Sequence, residues 1–106
     1  MKIYISIPIS NMDEKKQREK ADKIKMALSK AGYEVVNPFD IVPDKEKPDW
    51  FDYMGADLRE LAKCDKIYLC NGWKDSKGCN LEMQYAMSMG IKAIFESVEP
   101  TEIYYR

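Results

Sequence analysis

Two carboxylates in this sequence lie in apolar surroundings. Between Lys77 and Lys92 the only charged residue is Glu82, and a helix that is apolar on nearly every side is predicted to be buried. In the first turns of such a helix, free backbone amides and the helix dipole favour an anion. Glu82 is therefore a candidate nucleophile or electrostatic stabiliser, and the alternative is a capping residue that supports the helix start.

Asp57 is the second carboxylate in an apolar environment. A helix is predicted from about residue 50 to 64, and at roughly 100° per residue its apolar stripe is formed by Trp50, Met54, Leu58 and Leu61. Asp57 falls within this apolar arc, where an ionised group is desolvated unless it is paired. The alternative is a border residue that turns to solvent or binds a loop backbone.

Several neighbouring residues are weaker candidates for a binding site. Gly78, at the start of the helix that carries Glu82, permits close approach of a ligand to the helix end. Tyr4 and Ser6 lie on a predicted strand and belong to the site only if they point toward it. Trp50 and Trp73 are suited either to stacking on a base or to packing in the core.

The composition restricts the available chemistry. The sequence has no histidine, so acid–base catalysis near neutral pH has to use carboxylates, tyrosine, cysteine or lysine. Its three cysteines, Cys64, Cys70 and Cys79, form no C-x-x-C pair, so neither a disulfide framework nor a zinc site is expected. No metal and no cofactor is predicted.

Length and charge narrow the class of protein. With 106 residues, the chain is expected to form a single domain over residues 1–106. The 17 basic and 18 acidic residues are interspersed, which argues against a nucleic-acid polymer as partner. No apolar run is long enough for a signal peptide or a membrane span, so a cytoplasmic location without a membrane partner is expected.

Strand and helix patterns alternate along the chain. Strands are predicted at 2–7, 33–36, 66–70 and 91–95, and helices at 12–31, 50–64 and 78–89. The first helix is predicted to have a solvated, highly charged first half, with Ser10 or Asn11 as its cap and Gly32 at its end. Asp49 is the predicted cap of the second helix.

This alternation predicts an α/β fold, a flavodoxin-like or Rossmann-like parallel sheet of four to five strands with helices on both faces. Ligands of such sheets bind outside the carboxyl ends of the strands. The segments expected there are 6–11, 37–49 and 71–78.

Three features together resemble the nucleoside 2-deoxyribosyltransferase family. They are Tyr4 in the first strand, Asp57 in the helix before Cys64-Asp65, and the run GCNLEMQYA from Gly78 to Ala86. The most specific part is the glycine followed four residues later by Glu82 and then by a small residue, which is similar to the nucleophile helix of that family. The resemblance extends over about residues 2 to 95.

The resemblance implies roles for individual residues. Glu82 corresponds to the nucleophile that attacks the anomeric carbon, Tyr4 to the tyrosine that positions it, and Asp57 to a base-side or sugar-side carboxylate. Asp75 is the candidate for a further carboxylate that contacts the nucleobase. The residues expected to bind substrate are Ser6, Pro8, Trp50, Asp75, Gly78 and Asn80.

The implied reaction is cleavage of a nucleoside or nucleotide N-glycosidic bond, with transfer of the 2-deoxyribosyl group through a covalent intermediate on Glu82. The alternatives are a deoxynucleoside 5′-monophosphate N-glycosidase and a non-catalytic nucleotide-binding domain. The family also implies a homo-oligomer, a dimer or larger, in which a neighbouring subunit completes the pocket. No residue of the segment 97–106 matches that role.

Overall fold

The computed structural model of the protein describes residues 1–96. The segment 97–106, and with it the question of a subunit-bridging residue, lies outside this range. The elements, in chain order, are β1 (Lys2–Ser6), α1 (Glu14–Lys30), β2 (Glu34–Val36), α2 (Trp50–Leu61), β3 (Lys66–Leu69), α3 (Lys77–Ser88) and β4 (Lys92–Phe95). Two short 3-10 turns, Pro38–Asp40 and Trp73–Asp75, precede α2 and α3.

The four strands form one parallel sheet in the order β2-β1-β3-β4, which confirms the predicted α/β class. In the register of the sheet, Tyr4 of β1 lies opposite Val36 on one side and Ile67 on the other. Strands that are consecutive in the chain are connected through a helix, as is usual for parallel strands. The direction of winding reverses between β1 and β3, and ligands of open α/β sheets bind at such a crevice.

Side chains of β1 alternate between the two faces of the sheet. Ile5 and Ile7 pack with Ala21 of α1 on one face. Tyr4 packs on the opposite face, with Leu61 and with Ala86 of α3. Ser6 follows Tyr4 by two residues, so its side chain also points toward α3.

The start of α1 differs from the prediction. Asp13 is the N-cap and accepts a hydrogen bond from the Lys16 amide at 3.1 Å, so the assignment to Ser10 or Asn11 is wrong. Residues 9–12 instead form a turn in which the Met12 amide donates to the Ile9 carbonyl at 3.2 Å. Asn11 has a left-handed φ of 64° within this turn, so the chain has not yet entered the helix. The predicted helix end is confirmed, with Gly32 at a φ of 96°.

The predicted burial of α3 on nearly every side is wrong. One face of α3 is buried, through Cys79, Glu82 and Ala86. The opposite face exposes large apolar side chains: Met87 is 66% exposed and Leu81 is 38% exposed. The reason is that α3 packs against the sheet and beside α2, and no further layer within residues 1–96 covers its outer side. No helix in this range has the length and apolarity needed to cross a bilayer.

The start of α2 is fixed by a capping box, which gives a first prediction. Asp49 accepts from the Asp52 amide at 2.9 Å, and the Asp52 carboxylate accepts from the Asp49 amide at 2.8 Å. Replacing Asp49→Ala leaves an orphan amide and is expected to lower the free energy of unfolding by about 1 kcal/mol. Urea denaturation measures this loss, with Glu46→Ala in the preceding exposed loop as control. Equal stability of the two variants would contradict the assigned cap.

Candidate active site

A cavity of about 300 Å³ lies at the carboxyl edge of the sheet. Its walls come from the segments after β1 and β2 and from the first turns of all three helices. The lining residues are Ile7, Ile9, Ser10, Glu14, Arg18, Pro38, Phe39, Ile41, Trp50, Tyr53, Met54, Asp57, Ser76, Gly78, Cys79 and Glu82. These residues include members of each of the three segments that the sequence places at this edge.

The Glu82 carboxylate is buried and held at both of its oxygens. The side chain of Glu82 is on the cavity wall and is only 4% exposed. Tyr4 donates its hydroxyl to Oε2, and Ser6 donates its hydroxyl to Oε1 at 2.7 Å. Tyr4 and Ser6 are fully buried behind the carboxylate and do not line the cavity. The alternation of β1 therefore produces a two-point clamp for one carboxylate of α3.

Opposing effects act on the ionisation of Glu82. Burial raises the pKa of Glu82 to about 8, and the hydrogen bonds from Tyr4 and Ser6 act in the opposite direction. The nearby charge of Asp57 raises the pKa of Glu82 as well. Burial raises the pKa of Tyr4 well above 10, so its phenol remains protonated and remains a donor to Glu82.

Asp57 is the second buried acid of the cavity. It is 7% exposed, and its Oδ1 atom has no hydrogen-bond partner within the described residues. Burial raises the pKa of Asp57 to about 7. Burial therefore favours the protonated form of both carboxyl groups, and the charge of Asp57 further opposes ionisation of Glu82. Such a pair offers both a nucleophile and a proton donor.

A cation also lines the cavity, apart from the two buried acids. Arg18 and Glu14, from the first turns of α1, line the cavity and form an ion pair at 3.4 Å. The Arg18 guanidinium also stacks over the Phe39 ring, 4.7 Å from its centroid. These two residues were not predicted from the sequence, because the first half of α1 has a pattern typical of a solvated face. Their position in the chain could have indicated them, because the first half of α1 follows β1 and therefore starts at the carboxyl edge of the sheet.

Two further residues proposed from the sequence line the cavity. Trp50 lies at the start of α2, and Gly78 lies in the first turn of α3. A Cβ atom on Gly78 would lie 3.4 Å from the sulfur of Met54, so the glycine leaves only van der Waals space there. The cavity is also lined by Tyr53, Ser76 and Cys79, which were not predicted from the sequence.

Four other residues that the sequence analysis singled out lie outside the cavity lining. Asn80 donates its amide to the carbonyls of Trp73, Lys74 and Ser76, at 2.8–3.1 Å, and so fastens the preceding turn onto α3. Asp75 is exposed in that same turn. The buried Pro8 accepts a hydrogen bond from Gln17 at 2.6 Å through its carbonyl, and Trp73 packs against Phe95.

A metal ion in the cavity or its surroundings would need a group of coordinating side chains. Within residues 1–96, no group of three or more His, Cys, Asp or Glu side chains is placed to hold a metal ion. The chemistry that the cavity offers is that of its two carboxyl groups and of the hydroxyls behind them.

This α/β architecture is that of the deoxyribosyltransferase fold. The structure is similar to that of a 2-deoxyribosyltransferase from Bacillus psychrosaccharolyticus, with a TM-score of 0.69 and 19% identity, over 95% of this chain and 79% of that chain. It is also similar to Clostridium botulinum CMP N-glycosidase, BcmB, with a TM-score of 0.61 and 21% identity, over 90% of this chain and 67% of that chain.

The chain itself belongs to the family described as "Domain of unknown function (DUF4406)", whose model matches residues 1–95. The resemblance to the nucleoside 2-deoxyribosyltransferase family is confirmed at the level of the fold. A comparison with curated proteins finds no significant match.

The unpaired acid gives a prediction for stability. The pKa of Asp57 is raised from 3.8 in the unfolded chain to about 7 in the folded state. Between pH 3.8 and pH 7, the folded state therefore holds a proton that the unfolded chain releases. Stability contributed by this group is therefore present at low pH and lost as pH rises through 7. Relative to wild type, Asp57→Asn is expected to raise the free energy of unfolding at pH 8, by at most about 4 kcal/mol.

The measurement is urea denaturation of both proteins at pH 4 and at pH 8. At pH 4 the two proteins differ little, because Asp57 is then neutral in the folded state. Exposed Asp44→Asn is the matched control. A gain for Asp57→Asn that is the same at both pH values would show that the carboxylate is not desolvated.

Proposed function

We propose that this protein cleaves the N-glycosidic bond of a deoxynucleoside or deoxynucleotide and carries the 2-deoxyribosyl group on Glu82 as a covalent intermediate. The group is then transferred to a second base or to water. The observation that carries the proposal is the buried Glu82 carboxylate, clamped by two hydroxyl donors on the wall of a cavity that Asp57 also lines. The activities named for the two similar structures support the same class of reaction.

In the first step, a Glu82 oxygen attacks C1′ of the sugar. The C1′–N bond breaks, its electron pair moves to the base nitrogen, and the proton of Asp57 passes to the leaving base. Each Glu82 oxygen accepts one hydrogen bond and keeps a second lone pair for the attack. The reactive form is the one with Glu82 ionised and Asp57 protonated. Burial, which raises the pKa of Glu82 to about 8, opposes this form, and the hydrogen bonds from Tyr4 and Ser6 favour it.

In the second step, a nitrogen of an incoming base or a water oxygen attacks C1′. The bond from C1′ to Glu82 breaks and regenerates the carboxylate, while Asp57 takes the proton that the attacking group releases. Two displacements at one carbon, with one carboxylate as nucleophile and another as acid and then base, follow the logic of retaining glycosidases. The same residues serve a transferase and a hydrolase, which differ only in the acceptor.

The cavity suits a ligand of this kind. Its volume of about 300 Å³ is that of a small ligand pocket, and its walls combine apolar and aromatic side chains with several polar groups. Phe39, Trp50 and Tyr53 supply aromatic surface for a base or a sugar face. Asp75 and Asn80 lie outside this lining, so the proposal assigns contact with the substrate to the residues of the cavity wall.

The central test is loss of the nucleophile. The protein is incubated with deoxynucleosides and a free base, and then with deoxynucleotides, while base release and exchange are followed by chromatography. Glu82→Gln is expected to lower kcat by about 10⁴-fold or more, since it keeps the shape but cannot attack C1′. Glu19→Gln on the exposed side of α1 is the matched control.

Mass spectrometry of acid-quenched wild-type protein tests the covalent step. A deoxyribosyl adduct is expected on the peptide that contains Glu82. Unchanged turnover by Glu82→Gln would overturn the mechanism. Calorimetry that shows nucleotide binding by wild type without any turnover would instead identify a non-catalytic binding domain.

The clamp gives a prediction for pH dependence. Tyr4→Phe removes one donor to Glu82, so the pKa of Glu82 rises further and its ionised form becomes scarcer. The maximum of kcat/KM is expected to fall about tenfold or more, and the optimum to move about one pH unit higher. Tyr68→Phe, whose ring packs on the opposite face of the sheet, is the control. A lower rate with an unmoved optimum would show that Tyr4 does not act through Glu82.

A further inference from the structure

The charges around the cavity are separated into a buried set and an exposed set. Four charged residues line it: Asp57 and Glu82 are buried, whereas Glu14 and Arg18 have side chains that are 69% and 51% exposed. Arg18 is the only cation among the described lining residues. The cavity is therefore acidic at its buried end and carries a guanidinium where it opens to solvent.

Arg18 is held in place with donors to spare. Its guanidinium lies over the Phe39 ring, an arrangement that restrains the long side chain without using its hydrogen bonds. The ion pair with Glu14 is made through Nε, so it does not occupy the two terminal nitrogens. Because both partners are at least half exposed, this ion pair contributes little to stability and yields readily to a stronger anion.

The chemistry of the reaction determines which part of the substrate approaches this cation. With C1′ at Glu82 and the base near Asp57, the two buried carboxyl groups already contact the sugar carbon and the base. The 5′ carbon is attached to C4′, which lies across the ring oxygen from C1′, and so it extends away from the scissile bond. A phosphate dianion is repelled by the buried carboxylates, and at the exposed end a guanidinium matches its geometry with two parallel hydrogen bonds.

From this arrangement we infer that Arg18 forms a subsite for the 5′-phosphate of the substrate, which makes a nucleoside 5′-monophosphate the preferred substrate. The inference rests on the proposed function for the position of the sugar. Glu14 is the competitor of the phosphate for Arg18 and is displaced when the nucleotide binds. Removing its carboxylate therefore strengthens the subsite.

The experiment compares matched pairs of each deoxynucleoside and its 5′-monophosphate. Calorimetry measures Kd and chromatography measures kcat/KM, both for wild type and for variants. Wild type is expected to prefer the monophosphate at least about tenfold in Kd. Arg18→Gln is expected to remove that preference by weakening the monophosphate far more than the nucleoside. Glu14→Gln is expected to increase the preference about threefold. Arg59→Gln, on the exposed side of α2 outside the cavity, is the matched control and keeps the wild-type ratio.

The outcomes separate the two proposals. A monophosphate preference that depends on Arg18, without any base release, supports the subsite and overturns the proposed reaction. Base release with no preference for the monophosphate, or with a preference that survives Arg18→Gln, overturns the subsite and leaves the reaction standing. Equal weakening of nucleoside and monophosphate by Arg18→Gln shows that Arg18 contacts the base or sugar, which also overturns the subsite. Thermal melting of each variant confirms that it is folded.

Discussion

The proposed chemistry depends on the balance between the burial of Glu82 and the two hydroxyl groups that donate to it. Burial favours the neutral acid, and the donors Tyr4 and Ser6 favour the carboxylate. The donors stand two residues apart on the central strand β1, and parallel pairing on both sides fixes that strand. The sheet therefore determines both where the carboxylate lies and how strongly it is held.

The second acid shows a conflict between stability and chemistry. Asp57 lies in the apolar part of α2, and its Oδ1 atom has no partner within residues 1–96, so it costs folding free energy whenever it is ionised. A carboxyl group whose pKa is raised toward 7 is suited to donate a proton to a leaving base near neutral pH. Costly polar groups of this kind are typical of functional sites, where local stability is given up for reactivity.

The fold class and the order of elements could be predicted from the sequence. The apolar surroundings of Asp57 and Glu82 could be predicted as well, because a charge inside an apolar helical pattern is visible without coordinates. The sequence left open where Tyr4 and Ser6 point, since the alternation of a strand does not say which side faces the site. The exposed face of α3 was not predictable, because composition does not show which side lacks a covering layer. Arg18 was missed because a long charged side chain in a solvated helix looks the same whether or not it borders a cavity.

Tyr4 belongs at once to the hydrophobic core and to the support of Glu82. Its ring is fully buried among Leu61, Ile67 and Ala86, while its hydroxyl reaches the carboxylate. The hydroxyl therefore cannot swing away without disrupting the packing of the sheet against its helices. The Glu82 carboxylate is thus anchored to the packed side of the cavity, whereas the opposite side is formed by α1 and the segment after β2.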